Sequence, residues 1–287
     1  MSEAEGRRAG VCGWPVAHSR SPLIHRYWLR TLGLAGSYDR FAISVEGFSA
    51  FTASIGRDQL VGANVTAPHK EAAFAVCDRL TAAAQATGAV NTLWRENGAL
   101  CGDNTDIAGF LDNLDEGSPG WAANVRSAVV LGAGGAARAI VYALRLRGVE
   151  RVTIVNRSRE RAAVVAAGFA FAALAASWDD LPRELEVADL VVNATTLGMA
   201  GQPPLVVDLA PLKSSAIVCD IVYVPLATPL IDAARARGLR AVEGLGMLLH
   251  QAVPGFKQWF GGQPIVTPEL RALVEADLRP AVGKEGV

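Results

Sequence analysis

The fold is decided by an apolar run that ends in a cluster of glycines: Val129-Val130-Leu131-Gly132-Ala133-Gly134-Gly135-Ala136-Ala137-Arg138. The apolar run is typical of a buried strand, and the alanine-rich segment from about 136 to 147 is typical of a helix. Strand, glycine turn and helix in this order predict a dinucleotide-binding unit. Gly132 would permit the tight turn, and Gly134 would let a pyrophosphate approach the free N–H groups of the helix start. The alternative is a turn that serves only packing.

About 125 residues precede this turn, although dinucleotide-binding domains usually begin with it. Those residues must form another domain, which we expect to hold the substrate. The chain has 287 residues, enough for two domains of ordinary size.

Composition argues against several classes of protein. Hydrophobic residues make up 51% of the chain and charged residues 19%, which favours large buried cores over disorder. The net charge is -1 and no basic run indicates a nucleic-acid partner. No stretch reaches the ~18 uninterrupted apolar residues of a membrane span, and segment 1–10 lacks the apolar core of a signal peptide. We therefore expect a cytoplasmic protein without a membrane partner.

Cysteines and histidines show no metal-binding spacing. The four cysteines are Cys12, Cys77, Cys101 and Cys219. They form no Cys-x-x-Cys pair, which predicts buried, reduced thiols. The four histidines add no ligand spacing, so we expect no metal site.

Two serines lie near a predicted helix start. Ser21 followed by Pro22 is typical of a helix N-terminus, with the serine as N-cap. Ser19 has no such structural role. Two hydroxyls at a strand-to-helix turn can bind a small carboxylate, although capping alone also explains Ser21.

A predicted strand from Leu60 ends in polar residues, and a helix that continues through Cys77 follows it. Asn64, Thr66 and Lys70 therefore lie at the carboxyl end of a strand, where α/β sheets bind ligands. A lysine in a first helical turn is usually only solvated. Because the helix dipole disfavours a cation there, Lys70 suggests a function or an anionic neighbour.

Asn97-Gly98 between two short apolar runs predicts a β-hairpin. The first run carries Asn91, and the second leads to Asp106, at the start of a predicted helix. An acid in this place is a common cap, so Asp106 alone indicates little. Segment 115–124, rich in glycine and proline, is the predicted linker to the next domain.

The strand after the glycine turn, 151–155, ends in Asn156-Arg157-Ser158. NAD-selective domains usually place an acid about 20 residues past the turn to bind the ribose hydroxyls. Here no acid ends the strand, and Arg157 and Ser158 can bind a 2′-phosphate. The pattern predicts NADP rather than NAD, although Ser158 is also explained as the cap of the helix through Arg161.

Small residues around Thr195 follow another predicted strand and leave room for a cofactor beside the sheet. Gly244 and Gly246 open a predicted apolar helix that runs to about Phe260. These glycines would allow a nicotinamide to approach the backbone, whereas Met247 is also explained as core. The last few residues of the chain are expected to fray.

Eight blocks of residues, in order, are similar to one family. They are Gly13 to Pro22, Gly62 to Lys70, Gly88 to Thr92, Gly102 to Asp106, the glycine turn, Asn156 to Ser158, Asn193 to Thr195, and Gly244 to Met247 with Gln251. Together they make the chain resemble shikimate dehydrogenase over nearly its whole length, although no single block is specific.

The resemblance implies an α/β protein with two domains. A Rossmann-type NADP-binding domain, residues 107–243, is inserted into a discontinuous α/β substrate domain, residues 1–106 plus 244–287, with a cleft between them. The predicted linker at 115–124 would then lie inside or after a connecting helix. The implied reaction is reversible reduction of 3-dehydroshikimate to shikimate with NADPH, in the chorismate pathway of aromatic amino-acid biosynthesis. A homodimer is possible.

The same resemblance assigns roles to residues. Lys70 and Asp106 match the family's catalytic pair, and a positioned ammonium can stabilise the charge that hydride leaves on a carbonyl oxygen and supply the proton. Implied substrate-binding residues are Ser19, Ser21 and Tyr223 for the carboxylate, and Asn64, Thr66, Asn91 and Gln251 for the ring hydroxyls. Implied NADP-binding residues are Gly132, Ala133, Gly134, Gly135, Ala136, Asn156, Arg157, Ser158, Arg161, Thr195, Ile221, Gly244 and Met247.

Two rival interpretations remain open. One is a quinate/shikimate dehydrogenase that works oxidatively with NAD; Asn156-Arg157-Ser158 argues against NAD but not against quinate. The other is a ligand sensor that kept the fold and lost turnover, against which the presence of both Lys70 and Asp106 argues. One departure from the family is Ala82, which has no polar side chain at a position sometimes assigned to cofactor contact.

Overall fold

The structure is a computed structural model that describes residues 6–169 and 173–279. By its internal contacts the chain divides into two compact units. The first contains the residues up to Asp106 and Gln251–Leu270, and the second contains Ile107–His250 and the residues from Arg271 onward. This grouping begins the returning segment of the first unit at 251 rather than at 244. The predicted substrate domain and NADP domain are defined by the ligand that each would bind, and they stay a prediction.

The first unit is built on a mixed six-stranded sheet. Its strands are β1 (Arg7–Gly13), β2 (Gly36–Ala42), β3 (Leu60–Val65), β4 (Arg79–Leu80), β5 (Thr92–Glu96) and β6 (Ala99–Asp103). They lie in the order β2-β1-β3-β5-β6-β4, with β3-β5 and β5-β6 antiparallel and the other pairs parallel. The helices between these strands are α1 (Ser21–Thr31), α2 (Phe48–Ser54), α3 (Lys70–Val76) and α4 (Ala82–Thr87).

The second unit is built on a six-stranded sheet that is entirely parallel. Two helices precede it, α5 (Asp106–Gly117), whose first residue groups with the first unit, and α6 (Trp121–Asn124). Its strands and helices are β7 (Ser127–Leu131), α7 (Gly135–Leu146), β8 (Arg151–Val155), α8 (Arg159–Ala167), β9 (Ala173–Ala176), α9 (Leu181–Val187), β10 (Leu190–Asn193), β11 (Ile217–Asp220), α10 (Pro229–Ala236) and β12 (Arg240–Val242). A short 3₁₀ turn, Trp178–Asp180, precedes α9. The strand order β12-β11-β10-β7-β8-β9 is that of a doubly wound Rossmann sheet.

Three helices follow the second sheet in the chain. They are α11 (Leu245–His250), α12 (Ala252–Phe260) and α13 (Pro268–Leu278). Helix α12 packs on the first sheet, where Trp259 is buried and donates its indole N–H to the Leu93 carbonyl at 3.0 Å. Helix α11 belongs with the second unit.

Two local predictions, the glycine turn and the β-hairpin, are confirmed. The glycine turn joins β7 to α7, and the hairpin between β5 and β6 turns at Asn97 and Gly98, whose φ angles are 50° and 83°. Such positive φ angles at both central residues are those of a type I′ turn. No helix within the described residues is long and apolar enough to span a bilayer. The predicted fraying of the last residues falls outside the described part of the chain.

Segment 115–124 lies partly inside and partly after a helix, as the resemblance implies, because α5 continues to Gly117. Trp121 in this segment is buried, with its indole N–H bound to the Asp115 carboxylate at 2.8 Å.

Two local predictions are wrong. The long helix predicted up to Phe260 is broken at Gln251, between α11 and α12. Ser21 is the first residue of α1 and caps nothing; instead its N–H donates to the Ser19 hydroxyl at 3.3 Å.

Candidate active site

Lys70 and Asp106 are in direct contact. Lys70 is the first residue of α3 and Asp106 the first of α5, and Lys70 Nζ lies 2.6 Å from Asp106 Oδ2. Their side chains are 34% and 16% exposed, so both can be reached from solvent. The carboxylate is the anionic neighbour that a cation at a helix N-terminus requires. The structure thus joins the two residues that sequence analysis singled out for catalysis.

Asn91 engages the other oxygen of this carboxylate. Its Nδ2 donates to Asp106 Oδ1 at 2.8 Å. The orientation of the amide follows from Thr105, whose backbone N–H donates to Asn91 Oδ1 at 2.8 Å. Because an N–H can only donate, the amide oxygen must face Thr105 and the NH₂ group must face Asp106.

Asn64 lies behind Asn91 and is buried. Its Nδ2 donates to the Asn91 carbonyl and to the Thr92 hydroxyl, both at 3.1 Å. Its Oδ1 accepts from the Tyr38 phenol at 2.6 Å. Sequence analysis missed Tyr38 and gave Thr92 no role, because polar residues inside strands look like part of the alternating pattern.

The remaining residues predicted to bind substrate lie at four places in the chain. In the first unit, Ser19 is half-buried before α1, Thr66 follows β3 with its methyl group against Gly13, and Gln251 immediately precedes α12. Ser21 is buried at the start of α1. Tyr223 lies in the second unit, after β11.

The glycine turn has the shape of an anion cradle. Gly132 has a φ of +107°, and a Cβ there would lie 2.9 Å from Thr195 Cγ2. Gly134 and Gly135 are exposed, and a Cβ at either would meet no atom within 4 Å. Gly134 precedes α7 and has no side chain, so the first N–H groups of this twelve-residue helix are not capped by it. These features fit a pyrophosphate.

The loop after β8 carries the residues predicted for the 2′-phosphate. Asn156 Nδ2 donates to the Ser158 carbonyl at 2.9 Å, and the Ser158 hydroxyl caps α8 by accepting from the Arg161 N–H at 3.3 Å. Ser158 also donates to Glu160 Oε2 at 2.7 Å, and this bond lowers the pKa of the Glu160 carboxyl. Sequence analysis overlooked Glu160, an exposed acid beside three exposed arginines, Arg157, Arg159 and Arg161.

Buried polar groups hold the loops after β10 and β11. Asn193 accepts from the Thr195 N–H and hydroxyl, and it donates to Asp220 Oδ1 at 2.9 Å. Asp220 is fully buried and also accepts from the Val222 N–H at 2.9 Å and from the Thr228 hydroxyl at 2.7 Å. Burial raises the pKa of this carboxyl. The segment with Thr195 and the segment that starts at Ile221 are therefore tied to one another.

Gly244 and Ile221, two residues predicted beside the nicotinamide, meet directly. A Cβ on Gly244 would collide with the backbone carbonyl of Ile221, so only glycine fits there. Asn113 Nδ2 donates to the Glu243 carbonyl at 2.9 Å and holds this turn from α5. Met247 is buried in α11. Among the residues described, no group of histidines, cysteines and acids could hold a metal ion, and the four cysteines are free thiols.

Two family models match the chain. Residues 11–93 match the substrate-binding domain of shikimate dehydrogenase, and residues 120–210 match shikimate/quinate 5-dehydrogenase. Among its relatives, the NADP(+) shikimate dehydrogenase of Methylocella silvestris is 56% identical over 97% of this chain and 99% of its own length. That of Rhodopseudomonas palustris strain BisB18 is 53% identical over 96% of this chain and 99% of its own.

Solved structures of shikimate and quinate dehydrogenases are similar to this chain in fold. Shikimate 5-dehydrogenase from Thermus thermophilus, in complex with NADP(H) and shikimate, is 36% identical with a TM-score of 0.83, covering 95% of this chain and 100% of that one. Quinate dehydrogenase from Corynebacterium glutamicum, in complex with NAD, is 31% identical with a TM-score of 0.87, covering 94% and 99%. On these similarities and the sites described above, the chain belongs to the shikimate dehydrogenase family.

Proposed function

We propose that Lys70 and Asp106 are the catalytic pair with which this chain reversibly reduces 3-dehydroshikimate to shikimate, with NADPH as reductant. That reaction is the one its NADP(+)-dependent relatives are named for. The observation that carries the proposal is the 2.6 Å contact between Lys70 Nζ and Asp106 Oδ2, made by two side chains that solvent can reach.

The chemistry needs both members of this pair. NADPH, when bound, supplies a hydride to the carbonyl carbon of the substrate. The carbonyl oxygen gains negative charge, which the Lys70 ammonium can stabilise and then neutralise by giving up a proton. Asp106 keeps the ammonium in place against the unfavourable dipole of α3. In the oxidative direction the neutral Lys70 amine takes the proton back, and Asp106 stabilises the ammonium that forms.

The cofactor residues support NADP. The cradle around the glycine turn fits the pyrophosphate, with Gly132, Ala133, Gly134, Gly135 and Ala136 as its residues. Asn156, Arg157, Ser158 and Arg161 would surround the 2′-phosphate, and Thr195, Ile221, Gly244 and Met247 would line the nicotinamide side. Glu160 does not oppose this assignment, since its exposed side chain can turn away and leave the Ser158 hydroxyl to the phosphate.

The residues proposed to bind the substrate fall into groups according to the part of the substrate that they would contact. Ser19, Ser21 and Tyr223 would hold the carboxylate, and Thr66, Asn91 and Gln251 would contact ring hydroxyls. Asn64 has both amide hydrogens bound inside the protein, so it would meet the substrate only through its oxygen. We further propose residues 1–106 plus 244–287 as the substrate domain, residues 107–243 as the NADP domain, a cytoplasmic location, no nucleic-acid or membrane partner, and a homodimer.

The test is a spectrophotometric assay of four substrate and cofactor pairs, shikimate or quinate with NADP or NAD. The proposal expects the highest kcat/KM with shikimate and NADP, and a preference for quinate and NAD would overturn it. Binding of NADPH without turnover of either substrate would instead favour the sensor.

Variants then test the pair. Lys70→Ala should lower kcat by about 10²- to 10⁴-fold, the usual contribution of general acid–base catalysis, while NADPH still binds. The matched control is Lys213→Ala, which removes a lysine bound to Asp189 at 2.8 Å in the second unit and should leave kcat unchanged. A wild-type kcat in Lys70→Ala would remove the catalytic assignment.

A further inference from the structure

Four buried polar side chains lead from strand β2 to Asp106. They are Tyr38, Asn64, Thr92 and Asn91, and each is at most 5% exposed. None of the four carries a charge, and each touches the next. A buried donor or acceptor without a partner destabilises the fold. Each of these side chains is therefore expected to orient so that its donors face acceptors.

Two backbone groups fix the direction of this chain of bonds. The Thr105 N–H can only donate, so Asn91 turns its oxygen toward Thr105 and its NH₂ group toward Asp106. The Asn91 carbonyl can only accept, so Asn64 turns its NH₂ group toward β5 and its oxygen toward Tyr38. The orientation of both amides therefore follows from one backbone N–H that can only donate and one backbone carbonyl that can only accept.

These two amide orientations determine which hydrogen bonds the hydroxyls of Tyr38 and Thr92 donate and which they accept. The Tyr38 phenol faces an oxygen, so it donates to Asn64 at 2.6 Å. The Thr92 hydroxyl accepts from Asn64 Nδ2 at 3.1 Å and donates to Asn91 Oδ1 at 2.9 Å. Burial raises the pKa of Tyr38 well above its ordinary value, so the phenol keeps its proton. Every bond from Tyr38 to Asp106 therefore points the same way.

We propose that Tyr38 and Thr92 are positioning residues of the active site, which act on the Asp106 carboxylate through the amides of Asn64 and Asn91. The inference rests on the proposed function of Lys70 and Asp106. The bonds polarise one another in the same direction, so each donor further along is strengthened by the one before it. The Asp106 carboxylate accepts from Asn91 on Oδ1 and from Lys70 on Oδ2. Because both oxygens are bound, the carboxylate has one orientation.

Thr92→Val tests the link nearest to Asp106. Valine has the shape of threonine and lacks the hydroxyl, so we expect kcat for shikimate to fall about three- to tenfold, the effect of one hydrogen bond, with the KM for NADPH unchanged. Thr92→Ser restores the hydroxyl and should recover most of kcat. The control is Thr153→Val, which removes a buried strand hydroxyl that donates to Glu184 at 2.8 Å in the second unit; its kcat should equal that of the wild type.

Tyr38→Phe tests the far end and gives an independent result should Thr92→Val fail to fold. Its control is Tyr27→Phe, which removes the bond between the Tyr27 hydroxyl and Thr267 Oγ1 at 3.1 Å in the same unit. We expect kcat to fall in Tyr38→Phe and not in Tyr27→Phe. Equal losses in the two variants would mean a general effect on stability and would overturn the inference.

A double-mutant cycle decides whether Thr92 acts through Asn91. In an Asn91→Ala background, Thr92→Val should cause no further loss of kcat; losses that multiply would refute the proposed route. Wild-type kcat in Thr92→Val, with kcat abolished in Lys70→Ala, would refute the positioning role alone. Wild-type kcat in Lys70→Ala would instead overturn the catalytic pair.

Discussion

Gly134→Ala and Gly132→Ala should separate cofactor binding from folding within one turn. The two glycines lie two positions apart in the motif that joins β7 to α7. Gly134 has extended backbone angles, φ -96° and ψ -171°, which alanine adopts freely. Gly132 has a φ of +107°, which alanine rarely adopts. The same added methyl group therefore has different consequences at the two positions.

At Gly134 the methyl group costs the free protein nothing. No atom lies within 4 Å of the added carbon, and loss of glycine's freedom in the unfolded chain should raise the free energy of unfolding by up to about 1 kcal/mol. The methyl group would, however, occupy the space in which a phosphate approaches the helix N–H groups. Loss of one hydrogen bond to a charged group is worth about 1.5–3 kcal/mol, so the Kd for NADPH should rise roughly ten- to hundredfold.

At Gly132 the cost falls on the fold. The positive φ costs alanine of order 1–3 kcal/mol. The methyl group would also lie 2.9 Å from Thr195 Cγ2 and 3.1 Å from the Ala194 carbonyl oxygen, so the neighbouring loop must shift. We expect the free energy of unfolding of the second unit to fall by about 2–4 kcal/mol.

Two measurements on each variant are sufficient: urea unfolding, and fluorescence titration with NADPH. The control is Gly47→Ala, because Gly47 has an ordinary φ of -78° and a Cβ there would meet its nearest neighbour at 3.4 Å. Its Kd for NADPH should equal that of the wild type, and its free energy of unfolding should change by no more than the ~1 kcal/mol expected from loss of glycine's freedom in the unfolded chain. If Gly134→Ala binds NADPH within twofold of the wild type, no phosphate approaches this backbone, and the cradle is placed wrongly.

Two further predictions concern buried polar groups. His25 is fully buried, stacks on Tyr38 with ring centroids 3.9 Å apart, and has no hydrogen-bond partner for either ring nitrogen among the described residues. Burial lowers the pKa of His25 to about 3, below its unfolded value of about 6.5, so the unfolded state takes up the proton first as pH falls. The free energy of unfolding is therefore lost as pH falls between those two pKa values, by about 2–3 kcal/mol at pH 4.5. Urea unfolding at pH 7.5 and pH 4.5 should show a smaller loss for His25→Phe than for the wild type. An equal loss in the two proteins would contradict this. Asn113→Ala, which removes the bond to the Glu243 carbonyl, should raise the KM for NADPH about three- to tenfold in steady-state kinetics, and an unchanged KM would show that the turn at Gly244 needs no such support.

The second unit could be predicted well from sequence because its sheet is parallel. Strands buried on both faces appear as apolar runs, and the runs that form β7, β8 and β10 predict these three strands. Edge strand β9 was missed, since its sequence Ala-Leu-Ala-Ala has no β-branched residue. The two-residue strand β4 was also missed, because it exists only through its pairing with β6.

Site residues could be predicted where they lie beyond strand ends. Lys70, Asp106 and the glycine turn follow strands, where polar residues have no core to fill and suggest ligands. Asp220 and Thr92 lie inside strands and gave no such signal, although both are buried and hydrogen-bonded. Glu160 lies in the first turn of α8, beyond the end of β8 where an acid that selects NAD is expected, so the pattern does not predict it.

The chain of bonds to Asp106 depends on strand register, which single-strand patterns do not contain. Tyr38 is paired with Ala9, and Ala9 with Gly62; Asn64 is paired with Thr92 in the antiparallel neighbour. Paired residues share a face of the sheet, and so do residues two apart in a strand, so all five residues belong to one face.

The small side chain of Ala9 on this face lets Tyr38 reach Asn64. Tyr38 lies on β2 and Asn64 on β3, with β1 between them, so the phenol must pass over Ala9. Gly62 has no side chain because Trp259 occupies that space. A slip of one residue between β3 and β5 would move Thr92 to the opposite face and break the chain at its centre. The geometry at Asp106 therefore follows from the pairing of four strands whose order in the sheet differs from their order in the sequence.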